Sequence, residues 1–274
     1  MAAPPPDATS QLAQVASIVP CGSDGVLLRV IPRTPFGPLN AGRFFMLRRA
    51  DGVGPLIPRP FSIFKQEGDS IEFLIKVIGP GTQALAGAAI DSDLTLIGPL
   101  GNGWPEIAPE PVNIMLAGGI GSAPFYELIQ SKLAKGAAPE SLLMIYGAAT
   151  RGFLYDLEAF EQLGVRVLST TDDGSHGFHG NVLQCLEAEW AAGRVSESAQ
   201  LMACGPEPML KAVGRLAEER KLKAWLSLES YMGCGVGICN GCVVATRPDG
   251  ELGSWPNAKC CVEGPVFANE AVRL

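Results

Sequence analysis

The sequence predicts an α/β plus β chain in three parts: an N-terminal antiparallel β-barrel or sandwich, a doubly wound parallel sheet, and a small C-terminal cysteine module. Three observations carry this. Short β-type runs, punctuated by Pro and Gly, fill about the first hundred residues. Strand-like and helix-like segments then alternate, which is the pattern of βαβ units. Five of the eight cysteines crowd the last 41 residues. The parts are bounded at 10–107, 108–226 and 227–274.

In the first part, from about Gln11 to Pro105, the β-type runs include Gly25-Val-Leu-Leu-Arg-Val-Ile, Arg43-Phe-Phe-Met-Leu-Arg, Ile71-Glu-Phe-Leu-Ile-Lys-Val and Leu94-Thr-Leu-Ile. In the second, strands are expected at 112–117, 142–146, 165–169, 200–204 and 223–228. Helices are expected between them at 123–133, 156–163, 182–192 and 208–220. A parallel sheet built this way is covered on both faces. From Glu229 onward the sequence is rich in Gly and Cys with little periodicity, as expected of loops around a metal centre.

Composition narrows the function. The 274 residues are 47% hydrophobic and 18% charged, with a net charge of −7. Phosphate binding by a nucleic-acid partner needs a basic face, and none is encoded. No basic run suggests a membrane surface, and no stretch of about 18 apolar residues suggests a spanning helix. The start, with Pro4, Pro5 and Pro6, reads as a loose tail and not as a signal peptide. The cytoplasm is the expected compartment, where cysteines are not normally paired. Cys21, Cys185 and Cys204 are scattered and read as small buried hydrophobes.

Cys234, Cys239 and Cys242 are spaced C-x4-C-x2-C, with Cys260 and Cys261 further on. This is the plant-type ferredoxin spacing for a [2Fe–2S] cluster. Gly233, Gly235, Gly237 and Gly241 let the backbone wrap closely, so that amides point at the sulfurs. Structural zinc would usually require two C-x2-C pairs, and only one exists. The fourth ligand is Cys260 or Cys261, because neighbouring side chains in an extended segment point opposite ways.

Two further constellations suggest dinucleotides. Arg59-Pro60-Phe61-Ser62 offers a guanidinium for a phosphate, an aromatic ring and a hydroxyl for a flavin ring. Gly79-Pro-Gly81-Thr82 follows a strand and opens a helix, a site for a pyrophosphate that FAD has and FMN lacks. Gly98-Pro-Leu-Gly-Asn-Gly103 reads as a tight interdomain turn. Gly118-Gly119-Ile-Gly121 follows the first strand of the α/β part and, without the G-x-G-x-x-G fingerprint, still admits a cofactor backbone. Cys204-Gly205-Pro206 ends a later strand, where Cys204 would pack beside a nicotinamide. Asp172 and Asp173 would accept from an adenosine ribose and repel a 2′-phosphate, which favours NAD over NADP. His176 and His179 read as solvated loop residues.

Together Arg59-Pro-Phe-Ser, Gly79-Pro-Gly-Thr and Cys204-Gly-Pro resemble the ferredoxin–NADP reductase superfamily. The ending, Ser227-Leu-Glu-Ser-Tyr-Met-Gly-Cys through Cys242 and then Cys261-Val-Glu-Gly-Pro-Val-Phe, is similar to the electron-transfer subunits of two-subunit dihydroorotate dehydrogenases. So are Gly98-Pro-Leu-Gly-Asn-Gly and Thr171-Asp-Asp-Gly-Ser. The resemblance implies that Cys261 is the fourth ligand and Cys260 the spare. It adds Leu74, Ile75 and Lys76 to the FAD positions Arg59 to Ser62, Gly81 and Thr82. It implies a barrel for the FAD part and a catalytic partner subunit carrying FMN, in a heterotetramer with two of each. Electrons would pass from that FMN through the cluster and FAD to NAD⁺ in pyrimidine biosynthesis. The segment Tyr146-Gly-Ala-Ala-Thr-Arg departs from relatives, which often carry a larger polar residue after the Gly. Other readings are an iron–sulfur flavin reductase serving an oxygenase, hydrogenase or transhydrogenase, and a non-catalytic iron–sulfur interaction module. NADPH-linked subunits often carry Asp at the first cluster position, where this chain has Cys234. Val236, Ile238, Val266 and Phe267 flank the cysteines and are expected at the contact with the partner; the competing reading, strongest for Phe267, is that they fill the module's own small core.

Overall fold

The structure is a computed structural model that describes residues 7–106, 112–253 and 256–274. Pro4 to Pro6 and the boundary at 107/108 lie outside the described residues.

The first sheet comprises β1 (Thr9–Cys21), β2 (Gly25–Pro32), β3 (Phe44–Arg49), β4 (Arg59–Ser62), β5 (Lys65–Glu67), β6 (Ser70–Lys76) and β7 (Asp93–Leu100). Its order is β4-β3-β7-β1-β2-β6-β5, and every pairing is antiparallel. The two edge strands, β4 and β5, are separated in sequence by Ile63 and Phe64 alone. A flat sheet of this width would span about 28 Å, far beyond the reach of two residues. The sheet must therefore curl, and it closes on a core of Phe45, Phe73, Leu28, Ile71, Leu94 and Leu96. The short helix α1 (Pro80–Ala86) plugs one end with Leu85.

The second sheet contains β8 (Val112–Gly118), β9 (Leu142–Ala148), β10 (Arg166–Thr171), β11 (Phe178–His179), β12 (Ala199–Cys204) and β13 (Lys223–Ser227). These are parallel, in the order β11-β10-β9-β8-β12-β13. Alternate residues feed opposite faces. Ile114, Leu116, Leu143, Ile145, Leu201 and Ala203 meet α4 (Val182–Ala191) and α5 (Glu207–Arg220). Met115, Ala117, Met144, Tyr146 and Met202 meet α2 (Ala123–Ala134) and α3 (Leu157–Glu161). The expected strands and helices are present, with ends shifted by a few residues.

Four differences stand out. The long first strand β1 was not among the expected ones, although Ala13 and Val15 alternate into the barrel core. Arg59 to Ser62, read from sequence only as a ligand-binding motif, form a strand themselves. His179, expected in a loop, pairs with Thr171 as the end of β11, and it is exposed. The cysteine segment is also more ordered than its composition suggests. It contains a hairpin of β14 (Val243–Ala245) with β15 (Asn257–Lys259), and β16 (Val266–Ala268), which joins the second sheet antiparallel to β13. Val266 and Phe267, 4% and 3% exposed, thus fill the core and are not docking residues.

The barrel and the α/β part are fastened at several points. Trp104 stacks on Phe125 with centroids 5.0 Å apart and donates from Nε1 to the Pro124 carbonyl at 3.2 Å. Tyr155 donates to Asp24 at 2.5 Å. The Gln66 amide donates to Glu127 at 2.8 Å. Among the described residues no helix is long and apolar enough to cross a membrane.

Candidate functional site

Strand order reverses between β8 and β12: the chain runs from β8 outward to β11 on one side and returns through β12 and β13 on the other. In open parallel sheets ligands bind at such a point, beyond the strand C-termini. Here Gly118 and Gly205 approach so closely that a Cβ on Gly205 would lie 3.0 Å from Gly118 Cα. Gly121 is tighter still, since a Cβ there would stand 2.3 Å from the Cys204 carbonyl oxygen.

Two clefts open at this end. One, of about 720 Å³, is lined by Gly119, Gly205, Pro206, Met209, Tyr155 and Asp172 among others. The other, of about 640 Å³, lies between barrel and sheet and is lined by Arg59, Pro60, Phe61, Ser62, Leu74 and Thr82, with Gly81, Gly121 and Cys204. Lys76, Ile120 and Glu229 line both, so the clefts meet there. Glu229, Ile120 and Met209 were not expected from sequence. Glu229 lies two residues beyond the C-terminus of β13, a signal that would have pointed to it. Its side chain is open to the cleft, yet the protein packed around its carboxyl raises its pKa by desolvation.

The site residues expected from sequence distribute unevenly. Leu74 and Lys76 line the clefts, but Ile75, alternating away, is buried in the barrel core, so only its backbone can face a cofactor. Thr82 is at the helix start, as expected, and its side chain completes the cap of α1. It stands in the first turn, where its hydroxyl accepts from the amides of Ile78 (2.9 Å) and Gly79 (3.1 Å) and shapes the loop. Cys204 opens on the cleft with Arg59 and not on the one with Gly205 and Pro206. It is buried, and desolvation pushes its thiol up to about 12. Asp172 lines the larger cleft, whereas Asp173 is exposed and accepts from the Ser175 amide at 2.9 Å. Cys21 and Cys185 are buried, as small hydrophobes would be.

The cysteines meet in pairs. Cys242 Sγ and Cys261 Sγ lie 3.2 Å apart, and the Cys239 amide donates to Cys234 Sγ at 3.4 Å. Among the described residues no three His, Cys, Asp or Glu side chains are grouped as a metal ion would need. Paired thiols suit two irons better than one zinc. Burial alone would raise the Cys234 thiol, but the amides of Cys239, Val236 and Ile238 outweigh it and bring it down to about 7. Cys261 is pushed up to about 12, first by burial and then by the Cys242 thiol. Cys260 faces the other way and donates to the Leu228 carbonyl at 3.3 Å, fully buried.

The loop carrying these thiols lies against the barrel. Gly235, at φ +72, has Met46 where a Cβ would stand, 2.6 Å away. From the same strand Phe44 reaches the flavin-side cleft. Asn102 clamps the C-terminal segment, donating from Nδ2 to the carbonyls of Glu263 (2.9 Å) and Val266 (2.7 Å) and accepting from the Val266 amide (3.0 Å). The Gly98 to Gly103 turn is therefore a fastening and not a plain linker.

Comparison with known proteins agrees with this layout. Residues 229–273 match the iron-sulfur cluster binding domain of dihydroorotate dehydrogenase B, and residues 115–215 match the oxidoreductase NAD-binding domain. The chain is 36% identical over 232 residues to the electron transfer subunit of dihydroorotate dehydrogenase B (NAD(+)) from Bacillus mycoides, covering 83% of this chain and 85% of the relative. The Bacillus cereus subunit (strain Q1) is 36% identical over 231 residues, 82% and 84% of the two chains. Among solved structures, a NADH-dependent reduced ferredoxin-NADP oxidoreductase superposes with TM-score 0.80 at 24% identity, over 95% of this chain and 89% of that one. A ferredoxin NADP+ reductase from Neisseria gonorrhoeae, with bound FAD and NADP, superposes with TM-score 0.61 at 18% identity, over 77% and 91%. These two share the fold. On the sequence relationship over more than four-fifths of its length, the chain belongs to the family of dihydroorotate dehydrogenase B electron transfer subunits.

Proposed function

We propose that this chain is the NAD-linked electron-transfer subunit of a dihydroorotate dehydrogenase, acting in cytoplasmic pyrimidine biosynthesis. The observation that carries this reading is the meeting of two clefts at Lys76, Ile120 and Glu229, with the cysteine loop packed on the strand that lines one of them. When bound, FAD would accept electrons singly and exchange a hydride with NAD⁺, and a [2Fe–2S] cluster would carry one electron at a time. The chain's own residues fit those groups. Arg59 supplies a positive charge beside Gly81, where a Cβ would stand 3.1 Å from its Nε and narrow the passage a pyrophosphate needs. Phe61 and Leu74 give an apolar wall for a flavin ring. Gly119, Gly205 and Pro206 frame the nicotinamide cleft, and Asp172 offers a carboxylate to a ribose while repelling a 2′-phosphate. Cys234, Cys239, Cys242 and Cys261 hold the cluster, with amide N–H groups directed at the sulfurs.

The work divides at 10–107 for FAD, 108–226 for NAD and 227–274 for the cluster. All eight cysteines are free, as suits a reducing compartment. Cys239, Ile238 and Tyr231 are exposed at the tip of the cysteine loop, with Ile238 79% and Tyr231 96% open to solvent. That tip is the docking face for a catalytic subunit carrying FMN, in an assembly of two copies of each. Val236 is only half-buried and flanks it.

Anaerobic mixing of the isolated chain with NADH should bleach the flavin band within the mixing time, and chromatography of the released flavin should give FAD. Reduction by NADPH alone, or release of FMN, overturns the assignment of the two clefts.

A further inference from the structure

One charged side chain is set against the cysteine loop without being a ligand. Lys259 ends β15, two positions before Cys261. Its Nζ donates to the Gly237 carbonyl at 2.6 Å, midway between Cys234 and Cys239. Peptide N–H groups of the same loop face the sulfurs: that of Gly237 is directed at Cys261, those of Val236 and Ile238 at Cys234. Lysine and thiols thus hold the Gly237 region from two sides. The backbone that carries the lysine is itself pinned. The Lys259 amide donates to Glu263 Oε2 at 2.7 Å, and the Cys260 amide to the Cys242 carbonyl at 2.9 Å. Lys259 is half-buried, and among the described residues its ammonium forms no ion pair; the Glu263 carboxylate nearby is engaged by the Lys259 backbone amide.

We infer that Lys259 is a positioning residue for the cysteine loop and raises the reduction potential of the cluster held there. The inference rests on the reading of Cys234, Cys239, Cys242 and Cys261 as [2Fe–2S] ligands. One-electron reduction adds one negative charge to the site and takes up no proton. A fixed positive charge on the rim of the loop therefore favours the reduced side. By holding the Gly237 carbonyl it also keeps the neighbouring N–H groups turned to the sulfurs, which acts in the same direction. At an effective dielectric of about 20, a unit charge a few residues' width away biases the equilibrium by about tenfold. For a one-electron couple that is about 59 mV. The consequence for the chain is directional. A cluster with a raised potential accepts electrons readily from the catalytic subunit and holds them until the flavin draws them off.

The test is an EPR-monitored redox titration of the full-length chain, isolated with its flavin and cluster, for wild type, Lys259→Met, Lys259→Gln and Lys259→Arg. Lys259→Met should lower the midpoint by about 59 mV. Lys259→Gln, which keeps a donor for the Gly237 carbonyl but loses the charge, should also lower it. Lys259→Arg should stay near wild type. A loaded Lys259→Met or Lys259→Gln protein with the wild-type midpoint overturns the inference. If Lys259→Met fails to assemble, Lys259→Gln alone decides. A wild-type chain without the spectrum of a reduced [2Fe–2S] centre overturns the ligand assignment itself, a failure recognised before any variant is made.

Discussion

Replacing Asn102 with Ala should unlatch the C-terminal segment from the barrel. The side chain makes three hydrogen bonds to residues more than 160 positions away, to the carbonyls of Glu263 and Val266 and from the Val266 amide. A typical protein hydrogen bond contributes about 0.5–1.5 kcal/mol net, so their joint loss costs about 2–4 kcal/mol. Backbone links to the segment remain: the β13–β16 ladder, the Asn102 amide to the Gly264 carbonyl, and the Leu228 amide to the Pro265 carbonyl. The fold should therefore survive while the segment opens more often. Native-state hydrogen exchange at the Val266 amide reads this directly. Its protection should fall by roughly 30-fold to 1000-fold, at about 1.4 kcal/mol per decade. Asn102→Asp should be worse than Asn102→Ala at neutral pH, because it turns a carboxylate toward two carbonyl oxygens. Those carbonyls raise the folded-state pKa of the introduced carboxyl above its unfolded value. Its extra penalty is then full above the folded pKa and vanishes below about 3.9, the unfolded value. Val266 protection within about twofold of wild type in Asn102→Ala would refute the clamp.

Three other outcomes are expected. Cys261→Ser should remove the visible absorbance of the cluster while Cys260→Ser retains it, because Cys261 Sγ faces Cys242 and Cys260 faces the Leu228 carbonyl; the reverse pattern exchanges their roles. Gly121→Ala should cost roughly 1–3 kcal/mol or more in thermal unfolding, since its Cβ meets backbone at 2.3 Å, whereas Gly79→Ala, extended and with open space around it, should be neutral; equal melting temperatures would contradict the close approach. Ile238→Asp and Tyr231→Asp should weaken co-purification with the catalytic subunit and leave NADH-driven flavin reduction intact, as both side chains are exposed at the loop tip; normal assembly of both variants moves the docking face elsewhere.

Legibility in the sequence followed the range of the interactions involved. The βαβ series was readable because each strand buries both faces and each helix packs within one crossover, so local pattern and tertiary role coincide. The spacing of Cys234, Cys239 and Cys242 was readable for the same reason, being a local loop. What escaped depends on distant partners. β16 is three residues long and exists only because β13 offers an edge. Asn102 looks like any turn residue until Glu263 and Val266 arrive beside it. Val266 and Phe267 were expected at the partner contact because their apolar run beside the cysteines looks like a surface patch, and only the pairing with β13 buries them. The alternation that buries Ile75 was present in the sequence, but a family position carried over as a block of three hid it.

The way β16 is held bears on how the chain can move electrons. The cysteine segment is too short to bury a core of its own, and it borrows two. Its β16 extends the second sheet, and Asn102 and Met46 hold it to the barrel. The strand it borrows, β13, ends two residues before Glu229, where the two clefts meet. One strand therefore fixes the cysteine loop and the junction of the clefts together. Relative motion between them would have to break the β13–β16 pairing, the Asn102 bonds and the packing of Gly235 on Met46 at once. Electron transfer between fixed centres needs a constant short separation more than it needs mobility. A hinge would be useful only toward the partner, and the proposed docking face is the exposed surface around Tyr231, Ile238 and Cys239. The rigid side of the module thus faces inward to the clefts, and its open side faces outward.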